Sequence, residues 1–205
     1  LLALPVAVLT PEHAPVALGA GLAGGVLPDL DLYTNHRKAL HYPVGYSLLA
    51  GVAAVAVVVA PGAVTVAAVL LFAAAAAHSL VDVFGGGLEL RPWEATDDRA
   101  VYDHLRGRWI APRRWVRYDG APEDLLLSVG LAVPLWLHVD DPFRQVVAAA
   151  MLVAVAYAAS RRVLPRIARR LVTEVLPGRV PPALLARLPE RYVDGARRDD
   201  TETNV

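Results

Sequence analysis

The chain has 205 residues, of which 56% are hydrophobic and 20% are charged. Its 20 basic and 20 acidic residues cancel, so the charge balance gives no reason to expect a nucleic-acid partner. The sequence contains no cysteine, which excludes disulfides and thiolate metal sites. Any metal ligands must therefore be histidines and carboxylates, a set that suits zinc and also manganese or iron.

Short polar breaks divide the chain into uncharged runs. In chain order these runs cover residues 1–9, 16–27, 44–60, 63–77, 125–139 and 145–160. A membrane-spanning helix needs about 20 apolar residues. The runs at 44–60 and 63–77 come close to that length, and only Pro61 and Gly62 separate them. The pattern predicts an all-α, polytopic membrane protein with about six transmembrane helices, the first of them truncated at its start. The alternative is a soluble protein with core helices rich in alanine and valine.

The distribution of basic residues provides a separate test of this topology. If each run crosses the membrane once, segments 28–43, 85–124 and 161–205 share one face, and they contain every basic residue except Arg144. Loops rich in lysine and arginine remain in the cytoplasm. The sequence therefore predicts a multi-pass protein of the cell membrane, with these three segments on the cytoplasmic side and membrane lipid as a partner.

Two domains follow from this topology. Residues 1–160 are predicted to form the membrane helical domain, which includes a cytoplasmic insertion at 85–124 that is rich in arginine and tryptophan. Residues 161–205 are predicted to form a basic, amphipathic cytoplasmic tail with a disordered end. The arginines indicate either a surface for phosphate groups or an interfacial belt. The candidate substrate-binding residues are Arg37, Arg91, Arg113 and Arg114.

Two carboxylates and two histidines follow the second apolar run. Pro28 should end the preceding helix. In an extended turn, Asp29 and Asp31 would point the same way. His36 and His41 are five residues apart, so they can converge only if the loop folds back. Taken alone, such residues are more often caps or surface groups than metal ligands.

A second pair, His78 and Asp82, ends the most apolar run. Their spacing of four places both on one helical face, within reach of one ion. A structural His–Asp pair at the helix end is the alternative. Both groups fall on the same predicted membrane face, which indicates a mononuclear or binuclear site for a divalent metal such as zinc, manganese or iron. The candidate ligands are Asp29, Asp31, His36, His41, His78 and Asp82. Asp29 or Asp31 is also the candidate catalytic base.

These motifs resemble a known family. The residues Gly24-Gly25-Val26-Leu27-Pro28-Asp29-Leu30-Asp31, His36-Arg37, His41 and His78-Ser79-Leu80-Val81-Asp82 are similar to those of inner-membrane-bound, metal-dependent hydrolases of the LexA-regulated type, and segments 91–93 and 109–120 resemble archaeal members. The resemblance covers roughly residues 15–125. It implies clustered zinc ions and hydrolysis of phosphoesters, with the six candidates above as ligands or near-ligands. Family members usually also carry a Thr-His near the N-terminus, so a further ligand is expected upstream of Leu1. They tend to have Thr-His-Ser where this chain has Leu40-His41-Tyr42.

The sequence therefore favours a membrane-embedded hydrolase that cleaves a phosphoester or lipid-like substrate, through metal-activated water, at the cytoplasmic face. The alternative is a non-catalytic membrane scaffold or stress-response protein in which the His/Asp cluster is structural. A transporter is a weaker alternative, because the ionisable groups lie at one edge of the longest apolar run. The oligomeric state is left open.

Overall fold

The computed structural model describes residues 1–32, 34–177, 179–181 and 184, and these residues are mainly helical. The helices are α1 (Leu4–Leu9), α2 (Ala14–Val26), α3 (Pro43–Val59), α4 (Ala63–Val81), α5 (Pro122–His138), α6 (Phe143–Ser160) and α7 (Leu164–Arg170), and a π-helical turn follows at Leu171–Val175. Short 3₁₀ turns occur at Pro11–His13, Pro28–Asp31, Asp82–Phe84 and Pro92–Glu94. The two strands are β1 (Val101–Asp103) and β2 (Arg108–Ile110).

Proline marks the beginning of several helices. Pro43 begins α3 and Pro122 begins α5. Proline suits the first turn because its fixed φ is already helical and its missing N–H has no partner there. The break between α3 and α4 falls at Pro61 and Gly62, as the sequence predicts. Helices α3 and α4 therefore form an antiparallel hairpin.

Helix α4 is central, because it packs against α2 on one side and α3 on the other. Small residues make the contact with α2 unusually close. A Cβ atom added to Gly24 would lie 2.1 Å from the carbonyl oxygen of Leu71. Ala17 on α2 and Ala75 on α4 are fully buried. The backbones of these two helices thus touch near the end that carries the histidines.

Two helical segments are long and apolar enough to cross a membrane, judged by length and composition. They are Ala63–Phe84 and Phe143–Ser160. Helix α3 is also apolar but has 17 residues. The fold is thus confirmed as mainly helical with two candidate spans, and six spans remain a prediction.

The insertion contains a small antiparallel hairpin that an all-α prediction did not include. Val101 pairs with Ile110, and Asp103 pairs with Arg108. Gly107 adopts φ +63°, a left-handed conformation that suits glycine in the connecting turn. In the tail, helical structure extends from Leu164 to Val175. The disordered end predicted for the tail lies outside the described residues.

The turn after α2 differs from the extended conformation expected for it. Helix α2 ends at Val26, and Pro28–Asp31 continues as a 3₁₀ turn. Leu27 keeps helical dihedral angles (φ −50°, ψ −46°) although it precedes proline. Because the turn is helical, Asp29 and Asp31 do not share a direction: the Asp29 side chain is 53% exposed, and that of Asp31 is 1% exposed.

We expect the substitution Gly24→Ala to destabilise the protein by about 1–3 kcal/mol, because the new methyl group overlaps the α4 backbone. Gly19→Ala is the matched control, since nothing lies within 4 Å of its added Cβ. The control should be neutral or more stable by roughly 0.5–1 kcal/mol. Unfolding of both variants in one detergent measures the difference, and equal stabilities would refute the close approach.

Candidate metal centre

Four side-chain atoms from three short segments converge at the ends of α2 and α4. The Nε2 atom of His41 lies 3.1 Å from Asp82 Oδ2 and 3.8 Å from Asp29 Oδ1. The Nε2 atom of His78 lies 3.6 Å and 3.4 Å from the same two oxygens. Ligands at about 2.0–2.1 Å from a tetrahedral zinc ion lie roughly 3.3 Å from one another. These four imidazole–carboxylate distances are therefore close to those between ligands of one ion of this size.

Hydrogen bonds on the far side of each imidazole turn its Nε2 atom toward the centre. The Nδ1–H group of His41 donates to Asp31 Oδ2 at 3.1 Å, and that of His78 donates to the carbonyl oxygen of Gly25 at 2.7 Å. An ionised carboxylate and a carbonyl oxygen only accept hydrogen bonds, so Nδ1 must carry the proton in both rings. The other ring nitrogen, Nε2, then faces the two carboxylates, as it faces the ion in metal-binding histidines.

Asp31 orients the histidines rather than joining the four donor atoms. Its side chain is buried and accepts hydrogen bonds from His36 Nδ1 at 2.9 Å, from His41 Nδ1 and from the backbone N–H of Leu40 at 3.0 Å. Burial would raise the pKa of Asp31, but these donors outweigh it and hold that pKa below its ordinary value. Both oxygens thus have partners, which favours an orienting role over the predicted roles of ligand and base.

The histidine loop folds back, so that His36 and His41 lie close together. Their ring centroids are 5.5 Å apart, although five residues separate them in sequence. His36 offers a ligand atom within 4.8 Å of ligand atoms of Asp29 and His41. A second such group consists of His41, His78 and Asp82. Five of the six predicted ligands therefore belong to two groups that share His41.

Two buried atoms of the centre make no hydrogen bond of good geometry to a described residue, although they lie 3.1 Å from each other. These atoms are His41 Nε2 and Asp82 Oδ2. A buried polar group without a partner costs about 1–3 kcal/mol. A cation between the two atoms would satisfy both at once. The residues present thus fit a divalent metal ion, although the geometry does not identify which one.

The centre is closed at one end and open at the other. The side chain of His41 is completely buried, whereas that of Asp29 is 53% exposed. His78 and Asp82 lie between these extremes, each with 19% of the side chain exposed. Catalytic zinc sites keep one position accessible to water or substrate, and structural sites do not. Asp29 is thus the donor that solvent can reach.

Of the four predicted substrate-binding arginines, Arg37 lies beside the centre. Its Nε atom is 3.8 Å from Asp82 Oδ2, and its guanidinium also bonds to the carbonyl oxygen of Gly86 and to Asp119. The described contacts of the other three arginines do not include the four donor atoms. Arg91 pairs with Glu94, the Arg113 backbone N–H bonds to Val83, and Arg114 bonds to the carbonyl oxygen of Asp97.

The insertion holds the histidine loop (residues 34–41) in place, a role that the sequence did not reveal. The backbone N–H of Tyr102 donates to the carbonyl oxygen of Arg37 at 3.0 Å. His104 Nε2 donates to the carbonyl oxygen of Lys38 at 2.7 Å, and its ring stacks on Tyr42 with centroids 4.2 Å apart. The aromatic residues of the insertion were the available sign of a packing role, but the sequence does not show which segment they contact.

Comparison with models of protein families, with curated proteins and with solved structures finds no match to this chain. The family resemblance noted in the sequence therefore stays a prediction.

We expect the purified protein to bind one zinc ion per chain, and we expect His41→Ala to abolish binding because both groups of donors lose their shared member. Asp31→Asn should keep the stoichiometry but weaken affinity about 10–100-fold, as losses of orienting partners typically do. An asparagine side chain can accept from only one of the two imidazole N–H groups. Metal analysis and calorimetric titration measure both quantities.

The control for both variants is His138→Ala, because His138 Nδ1 donates to the carbonyl oxygen of Pro134 within its own helix. This variant should bind zinc like the unmodified protein. An unchanged affinity in Asp31→Asn would show that Asp31 does not orient the ligands.

Proposed function

We propose that this protein is a membrane-embedded, metal-dependent hydrolase that cleaves a phosphoester or lipid-like substrate at the cytoplasmic face. The observation that carries the proposal is the group of four donor atoms, which is buried at His41 and open at Asp29. Zinc is the preferred ion, because the two imidazoles of His41 and His78 and the carboxylate of Asp82 are typical zinc ligands. The resemblance to inner-membrane-bound hydrolases agrees with this assignment.

Each residue has a distinct role in the proposed reaction. His41, His78 and Asp82 would hold the ion, and Asp31 fixes His41 from behind. A divalent ion bound there would supply Lewis acidity and would make water acidic enough to lose a proton near neutral pH. Asp29 stands at the exposed rim, where its carboxylate can accept that proton as general base.

The surroundings of the centre support a location in the membrane. In the candidate spans Ala63–Phe84 and Phe143–Ser160, 28% and 0% of the residues are buried. Core helices of soluble proteins are mostly buried, so these two would expose an apolar surface to water. On α3, Val52, Val55 and Val59 are each more than 60% exposed. Lipid would cover such surfaces, and apolar patches of this kind mark membrane or partner contacts.

The positions of the basic residues support the proposed orientation. The histidine loop, the insertion and the tail contain all of them except Arg144. Arg144 pairs with Asp140 where α5 ends and α6 begins. The insertion precedes α5 and the tail follows α6, so these segments lie at the other ends of the two helices. By the positive-inside rule the metal centre would then face the cytoplasm in a multi-pass protein.

One observation favours a second candidate, the non-catalytic scaffold with a structural cluster. Four protein ligands and no open position are typical of structural zinc sites. If Asp29 is a permanent ligand, the ion would serve only to join the histidine loop to α4. The two candidates therefore differ in what the loss of the Asp29 carboxylate does.

For the hydrolase, Asp29→Asn should lower turnover about 10²–10⁴-fold, the usual contribution of a general base, and should leave one ion bound. The assay follows release of p-nitrophenol from phosphate mono- and diesters and of phosphate from phospholipid vesicles. Asp140→Asn is the control, because this side chain is fully exposed near Arg144. Loss of the ion in Asp29→Asn, with no turnover by the unmodified protein, would establish the structural cluster instead.

The orientation can be tested with single cysteines, since the chain has none of its own. We expect a membrane-impermeant maleimide to label Asp140→Cys in intact cells and to leave Arg108→Cys unlabelled until the cells are opened. Both positions are exposed. The reverse pattern would place the metal centre outside the cell, and equal labelling would contradict a spanning topology.

A further inference from the structure

A cavity of about 440 Å³ lies next to the metal centre. Its walls come from the histidine loop, from the insertion and from the beginning of the tail. Ligand pockets typically measure about 300–1,000 Å³, so the space is large enough for a small organic molecule or an alkyl chain. His36 lines this cavity and also belongs to a donor group of the metal centre. The cavity and the centre are therefore neighbours that share one side chain.

The wall formed by the tail is apolar. Leu164, Ile167 and Leu171 line it, and they remain 37%, 48% and 45% exposed. Three large aliphatic side chains thus meet solvent on the cavity side of α7. An alkyl chain in the cavity would cover them, and burial of apolar surface contributes about 25 cal/mol per Å².

The two arginines of the cavity are already paired with the protein, whereas both carboxylate oxygens of Glu89, which also lines it, have no hydrogen-bond partner among the described residues. Arg37 bonds to Asp119 at 3.2 Å and to the carbonyl oxygen of Gly86 at 2.8 Å. Arg161 bonds to the carbonyl oxygens of Asp119 and Leu90. The lining therefore has little spare positive charge with which to hold a phosphate group. A phosphate would find a cationic partner at the metal centre, beyond His36.

The tail is tied to the insertion, so its apolar wall has a defined position. The guanidinium groups of Arg161 and Arg162 lie 5.8 Å and 5.5 Å from the ring centroid of Trp93. Arg161 also lies over Tyr157, at 5.7 Å. Cation–π contacts of this kind contribute about 0.5–1 kcal/mol each at exposed sites. The cavity is thus formed in the folded protein rather than by the ligand.

We infer that the cavity binds the alkyl chain of an amphiphilic phosphate ester, with the phosphate group at the His36 end and the chain against α7. The inference rests on the proposed hydrolase function and specifies its substrate class. The reactive group then sits at the four donor atoms, and chain length sets affinity. A water-soluble phosphoester without a chain would fill only the polar end.

Calorimetric titration with decylphosphonate and methylphosphonate tests this inference. These probes share a head group that resists hydrolysis and differ in chain length. The protein is placed in lipid nanodiscs and loaded with zinc, and empty nanodiscs correct for partitioning of the chain into lipid. We expect decylphosphonate to bind at least about tenfold more tightly than methylphosphonate, because the longer chain buries several additional methylene groups.

A matched pair of variants locates the chain. Ile167→Gln changes the cavity wall, whereas Val163→Gln changes a β-branched residue that is equally exposed, at 47%, on the same segment. The first should weaken decylphosphonate binding roughly tenfold and leave methylphosphonate unchanged. The second should change neither. Ala168→Phe, which fills the cavity, is an independent variant with the same expected pattern, and thermal unfolding checks that each variant is folded.

The outcomes separate this inference from the proposed function. Equal binding of the two phosphonates, or equal effects of the two glutamine variants, would overturn the chain site even if the enzyme hydrolyses phosphoesters. Tight, Ile167-dependent binding of decylphosphonate by a protein without turnover would retain the chain site and reject only the hydrolase. If Val163→Gln weakens chain-dependent binding as much as Ile167→Gln does, the effect belongs to the membrane surface of the tail. This outcome would also overturn the cavity as the binding site of the chain.

Discussion

The buried carboxylate of Asp31 holds the polar end of this protein together. It bonds to His36, to His41 and to the backbone N–H of Leu40, and so it closes the histidine loop onto the turn that contains it. The desolvation of a carboxylate is costly, and charge-assisted hydrogen bonds are the compensation that makes it tolerable. The orientation of the His36 and His41 imidazoles depends on this one carboxylate. The other donors of the centre, Asp29, His78 and Asp82, lie around the His41 ring.

The other half of the centre depends on helix packing. Because Gly24 permits backbone contact between α2 and α4, the carbonyl oxygen of Gly25 reaches His78 Nδ1. The carbonyl is available because it lies at the end of α2, where helical carbonyls have no partner within the helix. His78 is therefore oriented by the main chain, and His41 by a side chain. Both arrangements leave Nε2 free to face Asp29 and Asp82.

Periodicity and charge predicted the mainly helical fold, and the spacing of polar residues predicted the donors. His78 and Asp82 converge because a spacing of four is a property of the helix itself. The different roles of Asp29 and Asp31 could not be predicted, since they follow from a 3₁₀ turn where Pro28 indicated an extended one. The hairpin was missed because three-residue strands leave too short a pattern. Its contacts with the histidine loop are long-range, and one sequence contains no record of such pairs.

The position of the donors in the chain has a consequence for biosynthesis. Asp29, His41, His78 and Asp82 all precede the insertion, so the ligand set is complete once α4 has been made. Tyr102 and His104, which hold the histidine loop through its backbone carbonyls, are translated later and dock afterwards. The N-terminal part of a chain leaves the ribosome first during synthesis. The four candidate donors can thus come together before the hairpin fixes the histidine loop.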